Sequence, residues 1–188
     1  MYIIGKKIKL RALEIEDMEK LNQWSNDPDL WKLLGGWHFP YSKRSTQNWL
    51  NLIDDNNSHN YVFGIEDEKN NLLGTANLVD IDWKNRNAFH GMMIGDKSNR
   101  GKVFAFDVVM AIMRYAFDEL GLERLDGDMI ETNHLSINFY TKRCGWKIEG
   151  KKINSFYRQG KYFDKVIVGI TKKEYYELLE KNKYWENS

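Results

Sequence analysis

A strand, a polar loop and the start of a long helix follow one another in the stretch Gly91-Met-Met-Ile-Gly-Asp-Lys-Ser-Asn-Arg-Gly-Lys-Val-Phe-Ala105. Backbone N–H groups at a helix start have no partner within the helix and lie at the positive end of its dipole, so they bind anions such as phosphate. Arg100 and Lys102 add positive charge there, and Gly101 allows a close backbone approach. Taken alone, the stretch is more typical of an ordinary helix start with solvated basic residues.

Strand and helix patterns flank this stretch. Alternating apolar residues predict strands at Tyr61–Glu66, Leu72–Ile81 and Ala88–Ile94, and the short polar turns between them favour antiparallel pairing. Apolar residues at helical spacing predict a long helix over Val103–Leu120, which ends at Gly121. The middle of the chain therefore changes from a β-meander to a helix at the polar loop.

The remaining elements complete a mixed fold. They are a strand at Lys7–Ala12, helices at Glu14–Trp24 and Ser45–Asp54, a strand at Leu125–Ile130, a helix from Asn133 to Cys144, a hairpin of Trp146–Ile153 and Tyr162–Thr171, and a last helix that begins with a capping box at Thr171–Glu174. This order predicts an α+β fold with a mixed, mostly antiparallel sheet of about seven strands covered by helices. No linker or repeat divides the chain, so we expect one domain over residues 1–188.

The composition limits the class of protein. The chain has 188 residues, and its 28 Lys plus Arg against 27 Asp plus Glu give a formal net charge of +1. This balance argues against a nucleic-acid-binding domain, which would carry a basic excess. The single cysteine, Cys144, excludes an internal disulfide, and His38 and His59 lack metal-ligand spacing, so we expect no metal site. Without a signal-peptide pattern or a long apolar run, we expect a cytoplasmic protein with no membrane partner.

Four local patterns, taken together, carry a resemblance to a known family. They are Ile8–Asp17, Arg100–Ala105, Glu131–Trp146 and Tyr157–Lys165. In order and at this spacing, they make the chain similar to the GNAT superfamily of acetyl-CoA-dependent N-acetyltransferases. The resemblance is to the branch that holds the ribosomal-protein N-terminal, spermidine and nucleotide-amino-sugar acetyltransferases. Each pattern alone is weak, and their combination over Lys7 to Thr171 is specific.

The resemblance implies a binding site for acetyl-CoA (coenzyme A). Met92, Met93 and Ile94 would lie on a splayed strand whose backbone pairs with the pantetheine amides and whose N–H groups stabilise the thioester oxyanion. Asn133 matches the family's cofactor-contacting asparagine, and Ser136, one helical turn on, would reach a phosphate. The pyrophosphate loop would consist of Arg100, Gly101, Lys102, Val103, Phe104 and Ala105.

This loop departs from the family pattern at one position. Where the family has its central glycine, this chain has Val103. A valine places a branched side chain beside the phosphate and does not readily adopt a positive φ. We therefore expect either a helical φ at this position or a reduced affinity for the cofactor.

Tyr140 is the candidate general acid. The resemblance places it at the family's catalytic tyrosine, and a phenol that a helix holds within reach can give a proton to a departing thiolate. Asp128 lies where some family members place a glutamate base, and Asp126 shares its strand face. Cys144 is expected to be a packed residue and not a nucleophile, because no adjacent base is evident. Weaker candidates for the base are Glu131, Asp80, Asp82 and His90.

The resemblance implies an N-acetyltransferase that moves an acetyl group to a primary amine by direct attack, without a covalent enzyme intermediate. We expect a small-molecule acceptor, with an amino sugar, nucleotide-linked or free, ahead of a polyamine and a protein N-terminal amine third. The rival hypothesis is a non-catalytic acyl-CoA-binding module on the same fold, which Val103 motivates. The sequence is compatible with a homo-oligomer.

Overall fold

The computed structural model describes residues 1–36, 39–54, 58–100 and 104–186. The strands are β1 (Ile3–Ile4), β2 (Ile8–Ala12), β3 (Tyr61–Asp67), β4 (Leu72–Asp82), β5 (Asn87–Ile94), β6 (Arg124–Ile130), β7 (Lys147–Arg158) and β8 (Lys161–Thr171). The α-helices are α1 (Met18–Ser25), α2 (Pro28–Trp31), α3 (Lys43–Asp54), α4 (Phe104–Arg114), α5 (His134–Asn138) and α6 (Lys172–Asn182). Two π-helical turns, Tyr115–Glu119 and Phe139–Arg143, extend α4 and α5.

The strands form one sheet in the order β1-β2-β3-β4-β5-β6-β8-β7. Neighbouring strands are antiparallel except β5 and β6, which are parallel. The predicted α+β fold is therefore confirmed, with eight strands in the described part of the chain where about seven were expected. The additional strand, β1, has two residues, which is too short to produce an alternating pattern. The short helix α2, which begins at Pro28 after the N-cap Asp27, was not predicted either.

The sheet opens between β5 and β6. Their pairing is confined to three positions, Asn87 with Arg124, Ala88 with Leu125 and Phe89 with Asp126. The N–H groups of Gly91 and Gly95 point toward β4, where they donate to Asn77 Oδ1 and Leu73 O. Because successive backbone groups of a strand alternate in direction, the N–H groups of the two residues at 92 and 94 point into the gap.

Each face of the sheet packs against helices. The main core lies on the face covered by α4 and α6, and all of Val108–Met113 is fully buried there. The second core lies on the opposite face, where α1, α2 and α3 contribute Leu21, Trp24, Leu30 and Leu50. In the described part of the chain, no helix combines the length and the apolar character needed to cross a membrane.

Candidate active site

Two cavities meet in the gap between β5 and β6. The loop-side cavity, of about 370 Å³, extends toward the loop after β5 and is lined by Ile94, Arg100 and Ala105. The sheet-side cavity, of about 510 Å³, extends the other way and is lined by His90, Asp128 and Tyr140, among others. Residues that line both cavities are Leu33, Leu34, Met92, Met93, Asn133 and Ser136. The unpaired half of β5 therefore lies where the two cavities join.

The loop-side cavity combines cations with apolar walls. Arg100, Lys142 and Arg143 line it together with Leu30 and Phe139. This set suits an elongated ligand with phosphates at one end and an apolar arm. Lys142 and Arg143 were not predicted as site residues. The available signal was that two cations follow the candidate general acid, Tyr140, by two and three positions.

The pyrophosphate-loop prediction is only partly within the described residues. Gly101, Lys102 and Val103 lie outside them. Ala105 lines the loop-side cavity, whereas Phe104 packs against the main core.

The side chain of Arg100, the first residue of that loop, binds the backbone at the end of β5. Its guanidinium donates to the carbonyl oxygens of Ile94 at 3.2 Å and Gly95 at 2.7 Å. The same group forms an ion pair with Asp27 at 3.1 Å, and only 17% of the side chain is exposed. Arg100 therefore fixes the end of β5 while it adds positive charge to the cavity wall.

Asn133 and Ser136 lie at the N-terminal end of α5. Asn133 is the N-cap, and its Oδ1 accepts the N–H of Ser136 at 3.1 Å. Its Nδ2 donates to the carbonyl oxygen of Leu33 at 3.2 Å, which ties α5 to the segment after α2. Both residues line the two cavities.

Tyr140 lies in the π-helical turn after α5 and is buried, with 6% of its surface exposed. Its hydroxyl is 3.1 Å from Nε2 of His90, and Nδ1 of His90 is 2.9 Å from the carbonyl oxygen of Asn77. A π-helical turn shifts the helical register, so a regular 3.6-residue pattern does not predict it. The sequence predicted Tyr140 as a site residue but ranked its partner, His90, only as a weaker candidate for the base.

Burial sets the protonation of these groups. It raises the pKa of the Tyr140 hydroxyl far above its ordinary value and lowers the pKa of His90 to about 4. Burial also raises the pKa of the Cys144 thiol. At neutral pH the tyrosine is a phenol, the histidine is uncharged and the cysteine is an unreactive thiol, as expected for a packed residue.

Asp128 lines the sheet-side cavity and forms an ion pair with Lys165 at 2.7 Å. Of the described residues that line this cavity, it is the only carboxylate. Asp126, on the same strand, is instead held by Arg124 at 2.5 Å. Of the weaker acidic candidates, Glu131 accepts the N–H of Asp164 at 2.8 Å, and Asp82 accepts the N–H groups of Lys84 at 3.0 Å and Asn85 at 2.8 Å.

Comparison with known proteins places this geometry in a family. The family model described as an acetyltransferase (GNAT) domain matches residues 7–147. The SPbeta prophage-derived uncharacterized N-acetyltransferase YokL of Bacillus subtilis (strain 168) is 26% identical over 174 residues, which is 93% of this chain and 95% of that protein. The spermidine N(1)-acetyltransferase of Vibrio cholerae serotype O1 is 26% identical over 180 residues, which is 94% of this chain and 100% of that protein.

A solved structure shows the same architecture. The crystal structure of spermidine N-acetyltransferase from Vibrio cholerae in complex with CoA and spermine superimposes with a TM-score of 0.82 at 26% identity, covering 92% of this chain and 99% of that one. The resemblance inferred from the four sequence patterns is thereby confirmed, as is the enzyme class, an N-acetyltransferase that uses acetyl-CoA. The chain belongs to the GNAT acetyltransferase family.

Proposed function

We propose that this chain transfers the acetyl group of acetyl-CoA to a primary amine of a small molecule, by direct attack of the amine on the thioester. The observation that carries the proposal is the junction of the two cavities at Met92 and Met93, on the unpaired half of β5. A thioester held at this junction would be open to an amine from the sheet-side cavity. The buried Tyr140 lines the same cavity.

The residues of the loop-side cavity fit coenzyme A. Arg100, Lys142 and Arg143 would hold its phosphates, together with the predicted loop up to Ala105. The N–H groups of Met92 and Ile94, which point into the gap, would pair with the pantetheine arm or with the thioester oxygen. A preformed N–H donor at that oxygen lowers the barrier of acyl transfer, because negative charge develops there in the transition state. When bound, the cofactor supplies the acetyl group in activated form.

Tyr140 would act as the general acid. As the N–C bond forms and the C–S bond breaks, the sulfur gains an electron pair and needs a proton. The buried phenol keeps its proton at neutral pH, because burial raises its pKa, and can pass it to the departing sulfur. Asp128 would take the proton that the ammonium must lose before attack, directly or through water.

The charge of the sheet-side cavity favours an amino sugar over a polyamine. Among the described lining residues, Asp128 is the single carboxylate, so none is left for a second ammonium group. A sugar amine needs one charge partner and polar or aromatic walls, and Asn77 and Phe156 supply these. The polyamine is the second candidate, because both the Vibrio cholerae relative and the superimposed Vibrio cholerae structure are named spermidine acetyltransferases.

A panel of amines, with release of the coenzyme A thiol as the readout, tests the proposal. We expect turnover with free or nucleotide-linked amino sugars and lower kcat/KM with spermidine and spermine. A preference for the polyamines would overturn the acceptor class and leave the enzyme class intact. Binding of acetyl-CoA without thiol release on any amine, including peptides with a free N-terminus, would indicate the non-catalytic module.

A further inference from the structure

His90 is the only hydrogen-bond partner of the Tyr140 hydroxyl in the described part of the chain. Its ring lies between Tyr140 on one side and the Asn77 carbonyl on the other, and 3% of the residue is exposed. We propose that His90 is a positioning residue for Tyr140: in the resting site its Nε2 atom accepts the single Tyr140 hydroxyl proton and so fixes the position of the phenol oxygen, and this proton turns from Nε2 to the sulfur as the C–S bond breaks. This inference rests on the role proposed above for Tyr140.

The direction of the two hydrogen bonds follows from elementary chemistry. A carbonyl oxygen can only accept, so Nδ1 of His90 must carry a proton and donate it to Asn77. A neutral imidazole has one N–H, so Nε2 has a lone pair and can only accept. The Tyr140 hydroxyl is therefore the donor at the 3.1 Å contact.

Asn77 makes this arrangement possible through both of its oxygens. Its side-chain Oδ1 accepts the N–H of Gly91 at 2.7 Å, which is the group that a regular β4–β5 ladder would pair with the Asn77 carbonyl. The Asn77 carbonyl oxygen accepts from His90 at 2.9 Å. The tautomer of His90 is thus determined by the backbone of the neighbouring strand.

The surroundings of His90 keep it uncharged. The tilted rings of Tyr140 and Trp146 lie 6.0 and 5.9 Å from it, and its described hydrogen-bond partners include no carboxylate. This agrees with the low pKa, about 4, that burial gives the imidazole. After Tyr140 protonates the sulfur, Nε2 has no proton to return, so Tyr140 must regain its proton from the cavity, where the amine has released one.

Two substitutions at position 90 separate positioning from a purely structural role. In His90→Gln, the end of the side chain lies near the former Nε2 and can still accept from Tyr140, but the donor to Asn77 is lost. In His90→Asn, the amide can still donate to Asn77 but does not reach Tyr140. We expect kcat to fall about 10- to 100-fold in His90→Asn and about threefold or less in His90→Gln, with the KM for acetyl-CoA unchanged in both. Equal losses, or a greater loss in His90→Gln, would overturn the proposal.

The kcat of Tyr140→Phe, measured with and without His90→Asn, distinguishes a failure of this inference from a failure of the proposed function. If Tyr140→Phe keeps the normal kcat, the general-acid role fails and the inference fails with it. If Tyr140→Phe is impaired, we expect His90→Asn to cause no further loss in that background, because the two residues act through one hydrogen bond. A full additional loss would overturn the positioning role alone.

A measurement on the unmodified protein covers the case in which a variant does not fold. The ¹⁵N chemical shifts of the imidazole nitrogens report which nitrogen carries the proton. We expect one buried histidine to be neutral and protonated at Nδ1 at pH 7, assigned to His90 by through-space contacts of its ring protons with Tyr140 and Trp146. Protonation at Nε2 would overturn the proposal.

Discussion

Asp128 and Asp126 share a face of β6, yet their surroundings differ. Asp128 lines the sheet-side cavity beside Lys165, whereas Asp126 is bound by Arg124 and is not among the described lining residues. We therefore expect Asp128→Asn to lower kcat/KM for the amine at least about tenfold, because the amine loses its proton acceptor. Asp126→Asn, the matched control, should leave kcat/KM within about twofold. Equal rates for the two variants would remove Asp128 from the mechanism.

The low pKa of His90 makes the stability of the fold depend on pH. Its pKa is about 4 in the folded protein and 6.5 ordinarily, so between these values the unfolded chain binds more protons and acid favours unfolding. The stabilisation is complete above pH 6.5 and is lost as the pH falls toward 4. Between pH 7 and 4.5, urea unfolding of the natural protein should lose about 2 kcal/mol more than that of His90→Gln. Equal losses would show that His90 does not control this dependence.

At the scale of elements, local patterns predicted the strands and helices that obey a simple period. Strands β2 to β6 and helix α3 differ from their predicted bounds only at the ends. Strand β7 runs on to Arg158, beyond the predicted end at Ile153, because shifts in its register against β8 interrupt the alternation. The helix expected as far as Cys144 instead changes to a π-helical turn at Phe139.

The close approach of β4 to β5 depends on Gly74. A Cβ atom at this position would lie 2.0 Å from the carbonyl oxygen of Met93, a residue that lines both cavities. We expect Gly74→Ala to force the strands apart, lower the free energy of unfolding by about 1–3 kcal/mol and weaken acetyl-CoA binding. Gly150→Ala, where a Cβ would meet nothing within 4 Å, is the control and should change stability by less than about 0.5 kcal/mol. Similar unfolding curves for both variants would contradict this.

At the scale of the whole molecule, the site depends on contacts between distant parts of the chain. Tyr140 meets His90 across 50 positions, and Asp128 meets Lys165 across 37. A periodic pattern reports which way a side chain faces and not which distant residue it meets. The sequence therefore predicted Tyr140 and Asp128 as candidates, through the family resemblance, but not the partners that hold them.

Outside the site, Asp107 makes the clearest contacts between distant parts of the chain, because its side chain joins both chain ends to α4. Its buried carboxylate accepts the N–H groups of Lys6 at 2.8 Å, Lys7 at 2.6 Å and Ile8 at 3.1 Å, and the hydroxyl of Tyr184 at 2.6 Å. In Asp107→Asn, an amide NH₂ would face some of these donors and leave them unpaired.

We expect Asp107→Asn to lower the free energy of unfolding in urea by about 3 kcal/mol, because several charge-assisted hydrogen bonds are lost from a buried position. Tyr184→Phe, which removes a single donor to the same carboxylate, should cost about 1 kcal/mol. If Asp107→Asn proved as stable as Tyr184→Phe, the turn between β1 and β2 would be held by its own backbone. The two chain ends would then be joined to α4 mainly by its other contacts, including those of Arg114 with the carbonyl oxygen of Ile4 and the ring of Trp185.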